Sequence, residues 1–162
     1  MFFNIHFDAN NRLSYNEHNL FLILFSYRSK DFVDMSTLIT SGIQISVSTN
    51  YRSDLSDVTT SEFFFNYHID IQNMNSFDVQ LISRDWYIFD SLSESRYVNG
   101  AGVIGEQPLL KPDESFRYTS GCDLNSELGM MKGFYTFKNL SDGTLFEVFV
   151  PTFLLEYTNK LN

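Results

Sequence analysis

The chain has 162 residues, of which 43% are hydrophobic and 19% charged, a composition typical of one globular domain and unlike a disordered or membrane-embedded chain. With 20 acidic and 11 basic side chains it carries a net charge of −9, which repels phosphate backbones and argues against nucleic-acid binding. Aromatic residues reach 17%, and such side chains favour β-strands.

The N-terminal part of the chain lacks features of export or membrane anchoring. The longest apolar run near the start, residues 20–25, is too short for a secretory signal or a membrane-spanning helix. Cys122 is the only cysteine, so no intramolecular disulfide can form. We therefore expect a cytoplasmic protein without membrane insertion.

Residues 1–34 differ in character from the rest, because they show neither helical spacing nor sustained alternation. Two interpretations remain open: an extension with a role of its own, or a stretch upstream of the natural start. We expect the second, with Met35 as the natural start and the domain spanning residues 35–162.

Beyond Met35 the pattern is the two-residue alternation of half-buried strands. It predicts strands at residues 43–47, at residues 63–71 and from residue 79 onwards. The inward parity changes within the third of these, which predicts a β-bulge near residues 83–85.

A glycine- and proline-rich stretch at residues 99–114 predicts a long structured loop. Alternation then resumes at residues 116–120 and 131–137, and a last strand at residues 146–150 follows a predicted hairpin turn at Asp142-Gly143. About seven or more such strands predict an all-β fold, an antiparallel β-sandwich.

Four separated segments resemble the ApaG family, also called CorD. They are SRDWYIFD at 83–90, GAGVIGEQPLLKPDESFRYTSGC at 100–122, LGMMKGFYTF at 128–137 and FEVFVPTFLL at 146–155. The resemblance runs from about residue 41 to residue 162 and implies a fibronectin type III-like or immunoglobulin-like sandwich. The family's usual length also favours Met35 as the start.

The chain departs from the family pattern at three places. Asp85 stands where the family commonly has His, Asp113 where Gly usually follows Pro112, and Glu127-Leu128 where a Pro-containing pair is usual. The missing histidine weakens any transition-metal site at that position. The resemblance also implies a genetic association with cobalt and magnesium efflux, and related eukaryotic domains are protein-interaction modules.

Residues 100–105 match the G-x-G-x-x-G pattern of dinucleotide-binding folds, but no helix pattern follows and no βαβ unit surrounds it. Two interpretations remain: the glycines serve turn geometry, or their amides form an anion-binding nest. Arg96 and Arg117 are further basic side chains near this stretch. The candidate ligand-binding residues are Gly100, Gly102, Gly105, Gln107, Arg84 and Lys111.

Catalytic and metal chemistry has few candidates. His68 and Cys122 cannot make a zinc site by themselves, and Asp113 with its neighbour Glu114 is either a magnesium site or a solvated loop. Ser120 or Cys122 would need a base to act as a nucleophile. We expect no catalytic residue, no bound metal and no cofactor. Trp86 is expected in the core, with a ligand platform as the alternative.

The predicted function is a non-catalytic binding module that recognises a protein partner, in cobalt and magnesium efflux or ion homeostasis as the family resemblance implies. The alternatives are a protein that binds a small anion, such as pyrophosphate or a nucleotide, or a divalent metal through the loop at residues 100–108. A phosphohydrolase-like enzyme that uses the glycine loop is the third hypothesis.

Overall fold

The computed structural model describes residues 35–158, so the predicted extension at residues 1–34 lies outside the described part. Within it, nine strands and one 3-10 helix at Val58–Thr60 follow one another. The strands are β1 (Ser36–Thr40), β2 (Ile43–Tyr51), β3 (Phe63–Asn73), β4 (Val79–Asp90), β5 (Ser93–Ala101), β6 (Leu109–Leu110), β7 (Ser115–Leu124), β8 (Leu128–Asn139) and β9 (Leu145–Glu156).

The strands form two antiparallel sheets. The four-stranded sheet has the order β1-β2-β3-β7, and the five-stranded sheet has the order β5-β4-β8-β9 with β6 beside β4. The predicted fold class, an all-β antiparallel sandwich, is confirmed. Between residues 35 and 158 no helix has the length and apolar character needed to cross a bilayer.

The alternation in the sequence matches the burial of the strands. In β3, Phe63 and every second residue up to Asn73 are buried, whereas the intervening side chains are exposed or half-buried. In β8 the predicted inward set at residues 131–137 is likewise buried. Alternation works here because each sheet has one face on the core and one face towards solvent.

The predicted irregularity in β4 is present. Leu81 pairs with Phe137 and Ser83 with Thr136, so β4 contains one extra residue between Leu81 and Ser83. This position is slightly N-terminal to the predicted range. The bulge changes which parity faces the core, and it thereby turns Trp86 inwards.

A second irregularity lies in β9. Met131 pairs with Phe153 and Gly133 pairs with Val150, so β9 contains one residue more than β8 between these two pairs. Pro151 lies in this extra stretch. Proline has no N–H for a ladder bond, and an irregular position on an edge strand is where a sheet tolerates it.

The structure corrects the loop predicted at residues 99–114 in two ways. β5 continues to Ala101, and β6 pairs with the start of β4. The sequence did not predict β5, because nearly all of its side chains are exposed and it therefore lacks the alternation of apolar and polar residues. The predicted turn at Asp142-Gly143 is also wider than a two-residue hairpin, and only Gly143 of the pair has positive φ, at 79°.

The centre of the core is a layer of aromatic rings. The Trp86 ring makes edge contacts with Tyr67, Tyr135 and Phe153 at centroid distances of 5.7, 5.9 and 5.9 Å. The hydroxyls of Tyr118 on β7 and Tyr135 on β8 are 2.6 Å apart, so one hydrogen bond joins the two sheets. Trp86 is 2% exposed, which confirms its expected place in the core.

Removal of this ring should be among the most damaging single changes. We expect Trp86→Ala to lower the free energy of unfolding by about 3–5 kcal/mol, because it leaves a cavity against three aromatic neighbours. Urea unfolding of the full chain measures this cost. Tyr87→Ala, a change at the neighbouring outward position, is the control and should cost much less. Equal costs would contradict the central role of Trp86.

Asp90 at the end of β4 ties together two turns. Its carboxylate accepts hydrogen bonds from the Ser126 hydroxyl and from the N–H groups of Asn125 and Leu92, at 2.6, 2.6 and 3.1 Å. Burial by itself would raise the pKa of Asp90, but these hydrogen bonds outweigh burial, and the net pKa lies below its ordinary value.

A depressed pKa makes Asp90 a source of pH-dependent stability. Its contribution is present above the ordinary carboxyl pKa of about 4, and it is lost as the pH falls through the lower folded value. We expect Asp90→Asn to destabilise the chain at pH 7 by about 1–3 kcal/mol and to reduce the further loss on acidification. Urea unfolding at pH 7 and in acid tests both effects. The exposed change Asp142→Asn is the control, and equal costs for the two variants at pH 7 would refute the role of Asp90.

Candidate binding site

The glycine-rich segment after β5 is a tight turn rather than the start of a helix. Val103 and Glu106 exchange backbone hydrogen bonds of 2.8 and 2.9 Å around Ile104 and Gly105. Both of these central residues have positive φ, at 44° and 83°. That combination is typical of a primed hairpin turn, in which a glycine is favoured and a β-branched residue is unusual.

Most amides of this turn already have partners. The N–H of Gly102 donates to the carbonyl of Ile82 at 2.8 Å, and those of Val103 and Glu106 donate to each other's carbonyls. An anion nest would have to be built from the neighbouring amides of Ile104 and Gly105 at the tip. The turn therefore offers a smaller cradle than the sequence pattern suggests.

Gly102 is required for a reason of space. Its φ is 59°, and a Cβ built on it would lie 2.0 Å from the carbonyl oxygen of Glu106. Gly105 also has positive φ, yet a Cβ there would meet nothing within 4 Å. A comparison of substitutions at Gly105 and Gly102 therefore distinguishes the cost of positive φ alone from the added cost of a clash with the Glu106 carbonyl.

This difference can be measured directly. Gly105→Ala should cost about 1–2 kcal/mol, the usual penalty for a side chain in the left-handed region. Gly102→Ala should cost more, because the turn must also move away from the added methyl group. Chemical unfolding of both variants gives the comparison, and equal costs would show that the close approach relaxes freely.

Arg84 connects several of the sequence-predicted residues. Its Nη1 donates to the carbonyls of Ala101 and Gly102 at 3.2 and 2.7 Å. A Cβ on Gly100, which pairs with Arg84 across the ladder, would lie 3.2 Å from that nitrogen. Gly100 therefore leaves room for the guanidinium to lie across β5.

The remaining candidates are less closely grouped. Gln107 Nε2 donates to the Ile82 carbonyl at 2.7 Å and so supports the glycine turn. Lys111 lies beyond β6, where its N–H donates to the Glu114 carboxylate at 2.8 Å. Arg117 is paired with Asp70 on the four-stranded sheet at 2.6 Å.

Arg84 lies on the side of the sandwich where the edge strands β5 and β7 face each other, which we call the β5–β7 mouth. Arg96 of β5 crosses this opening and pairs with Asp123 of β7 at 2.9 Å. Arg84, by contrast, forms no ion pair with any carboxylate of residues 35–158. The half-buried guanidinium instead acts electrostatically on the hydroxyls of Tyr67, Tyr118 and Tyr135.

The inner wall of the mouth also contains an unused donor. Trp86 Nε1 is buried and has no hydrogen-bond partner among the described residues. Burial raises the pKa of all three tyrosine hydroxyls, so they stay neutral at physiological pH. The mouth therefore combines the Arg84 guanidinium with neutral aromatic side chains, and the Asp123 carboxylate at the mouth is paired with Arg96.

The side chains considered for catalysis or metal binding are engaged or buried. Both ring nitrogens of the exposed His68 have partners, Thr119 Oγ1 and Asn50 Oδ1, each at 2.7 Å. Cys122 is buried, and desolvation raises the pKa of its thiol to about 11. No group of three His, Cys, Asp or Glu side chains in residues 35–158 is placed to hold a metal ion.

The acidic pair proposed for magnesium has structural roles. Glu114 accepts the N–H of Lys111, and Asp113 has a φ of 64°. The positive φ explains why Gly is usual at position 113 in the family that the sequence resembles.

A groove of about 750 Å³ crosses the outer face of the four-stranded sheet. His68, Asp70, Arg117 and Thr119 line its floor, and Ile104 of the glycine turn lies at one side. The polar groups on the floor bond to one another, as His68 does to Thr119 and Arg117 does to Asp70. The groove thus presents few free polar groups to a ligand.

The outer face of the five-stranded sheet carries exposed aromatic rings. The rings of Tyr87 and Tyr97 are tilted by 38° with their centroids 5.1 Å apart, and Phe134 and Phe149 make an edge contact with their centroids 6.3 Å apart. Tyr87, Tyr97 and Phe149 are 45%, 54% and 49% exposed. We call these four side chains the aromatic face.

Sequence reasoning missed the aromatic face, although a signal was present. Outward positions of β4, β8 and β9 hold aromatic residues where alternation predicts polar ones. The Tyr97 hydroxyl donates to Asp85, which raises the pKa of Tyr97. Asp85 also pairs with Phe134 across the ladder, so it lies between the tyrosine pair and the phenylalanine pair of this face.

Comparisons with known proteins agree with the fold. A family model described as ApaG domain matches residues 53–139. Protein ApaG of Beijerinckia indica is 43% identical over 122 residues, which cover 75% of this chain and 93% of the relative. Protein ApaG of Nitrosomonas eutropha is 45% identical over 120 residues, covering 74% and 94%. A crystal structure of the ApaA protein from Bordetella pertussis is 40% identical with a TM-score of 0.68, covering 70% of this chain and 92% of that one.

Proposed function

The chain belongs to the ApaG domain family, and we propose that it is a non-catalytic module that binds a protein partner through the aromatic face. The observation that carries this proposal is the exposure of Tyr87, Tyr97 and Phe149 on one sheet surface. Large rings in water forgo the free energy of burial, and grouped exposed apolar side chains commonly mark interaction sites. Aromatic anchors also supply much of the binding energy of protein interfaces.

The surroundings of the aromatic face suit a protein surface. Lys132 pairs with Tyr87 across the ladder, and Glu147 pairs with Thr136, next to the outward position of Lys138. Charged side chains therefore lie among the aromatic rings, and protein interfaces likewise combine apolar contact area with polar contacts. The sheet supplies a rigid, nearly continuous platform across β5, β4, β8 and β9.

The non-catalytic part of the proposal is supported by the state of the nucleophile candidates. With a pKa of about 11, the Cys122 thiol is protonated at neutral pH, and a thiol rather than a thiolate is a poor nucleophile. His68, the one imidazole in residues 35–158, is held by hydrogen bonds on the outer face of the four-stranded sheet, whereas Cys122 lies on the buried face of the same sheet. A nucleophile and base pair needs direct contact, which this arrangement does not provide.

We propose further that the partner acts in cobalt or magnesium efflux or ion homeostasis and that the chain works in the cytoplasm, as the family resemblance implies. Small-anion binding at the glycine turn is the second candidate. Arg84 favours it, whereas the engaged amides of Gly102, Val103 and Glu106 weigh against it. The net charge of −9 also disfavours anion binding in general.

The proposal predicts that partner capture depends on the aromatic face. We expect the full chain, immobilised and exposed to host lysate, to retain a protein in near-stoichiometric amount. The double variant Tyr97→Thr/Phe149→Thr should lose most of this protein, because threonine keeps the strand propensity but removes the rings.

The matched control removes exposed apolar side chains elsewhere. Leu55→Thr/Leu92→Thr changes two residues that are 53% and 80% exposed and lie in loops away from the face. This variant should retain the partner, and both variants should melt close to the parent. Equal retention by the parent and both variants would refute the proposed surface.

A further inference from the structure

We propose that the free edge of β5 takes up an extended segment of the partner protein as an additional strand, and that Arg84 binds an acidic side chain of that segment. This inference rests on the proposed protein-binding function, which it deepens by naming the place and the chemistry of recognition. β5 carries Tyr97, so a strand added there would border the aromatic face.

The direction of the backbone groups in β5 can be read from one hydrogen bond. The N–H of Gly102 donates to Ile82, and bonded pairs of an antiparallel ladder recur at every second residue. The pairs at Gly100 and Val98 therefore bond to β4. The N–H and C=O groups of Tyr97 and Asn99 and the N–H of Ala101 therefore point away from β4, towards the free edge, whereas the Ala101 carbonyl accepts a hydrogen bond from Arg84 Nη1.

β5 is the least protected of the four edge strands in residues 35–158. β1 has only five residues, and β9 carries Pro151 within an irregular stretch. The backbone carbonyl of Asp123 on β7 is capped by the Arg96 guanidinium. β5 is nine residues long, is almost entirely exposed and contains neither proline nor lysine. Proteins usually blunt such an edge, and strand addition is a known way to use one that is left open.

A strand added to β5 would present alternate side chains to two different surfaces. Those on one side would continue the plane of Tyr87 and Tyr97, which favours apolar or aromatic residues. Those on the other side would face the β5–β7 mouth, where Arg84 lies across Gly100. The spacing of about 4.8 Å between strands brings a long acidic side chain within reach of that guanidinium.

The positive charge of Arg84 favours an acidic residue at the position of the bound segment that faces the mouth. Arg84 Nη1 donates to the carbonyls of Ala101, the last residue of β5, and of Gly102. Arg84 has no carboxylate partner among the described residues, although the chain as a whole is acidic. A half-buried cation without a counter-charge gains more from a carboxylate than an exposed one does. The expected segment alternates apolar residues with Glu or Asp at the position that faces Arg84.

The test is to pan a display library of ten-residue peptides on the full chain. In each peptide Val or Thr occupies every second position, and one of the positions between them is randomised. We expect strong enrichment of Glu or Asp at that position over the unselected library. A synthetic peptide from this set should shift the backbone NMR resonances of Tyr97 to Ala101. Its Glu→Gln version should bind the unaltered chain at least about tenfold more weakly, because it lacks the charge that Arg84 pairs.

Two variants of the chain check each half of the inference. Asn99→Pro removes an outward-facing N–H without breaking the ladder to β4, and it should abolish binding, whereas Asn99→Ala should retain it. Arg84→Gln should remove the difference between the Glu and Gln peptides. Thermal melts establish that both variants are folded, and the Glu→Gln peptide comparison does not depend on either of them.

Several outcomes would overturn the inference. These are the absence of any enriched peptide, enrichment without an acidic residue, equal affinity for the Glu and Gln peptides, and full binding by Asn99→Pro. Displacement of the peptide by inorganic pyrophosphate of equal affinity would assign Arg84 to a small anion instead. Peptide shifts at Tyr87 and Phe149 without shifts in β5 would leave the protein-binding face standing and refute only the strand addition.

Discussion

The contact of two sheets across one aromatic layer is the constraint on which the rest of the molecule depends. Trp86 touches Tyr67, Tyr135 and Phe153, and the Tyr118 and Tyr135 hydroxyls bond across the gap between the sheets. Aromatic rings prefer such edge contacts and bury large areas, so they fix the distance and the offset of the sheets. The bulge in β4 is needed to bring Trp86 into this layer, and the same bulge directs Arg84 towards the open side of the sandwich.

The aromatic layer does not extend as far as β5, so the side of the sandwich that carries β5 is more exposed than the centre. β5 extends past the core, so its side chains contribute little to burial and its outer edge is unpaired by the described residues. A strand of this kind costs little to keep available for a partner, because the core does not depend on it. The proposed functions use this freedom: the aromatic face supplies apolar area, and the β5 edge supplies backbone groups and access to Arg84.

The glycine-rich segment shows how a sequence motif acquires meaning from its surroundings. Its glycines allow close approach at Gly102, positive φ at Gly105 and room for Arg84 at Gly100. The match to a dinucleotide fingerprint arises because tight turns need glycine in many folds. The segment places Arg84 and holds Val103 in the core, which are structural roles with a functional consequence at the mouth.

The sequence by itself determined the fold class, most strands, the bulge in β4 and the family, because alternation and the ordered family segments are local signals. It did not reveal β5, since an exposed edge strand has no alternation, nor the aromatic face, since its rings come from separate strands and meet only through ladder register. The grouping of Arg84 with Gly100 and Gly102, apart from Lys111, was likewise decided by the tertiary structure. Side chains of neighbouring residues in a strand point to opposite faces of the sheet, whereas side chains of paired residues on adjacent strands lie together on one face. Only the strand register specifies which residues are paired in this way.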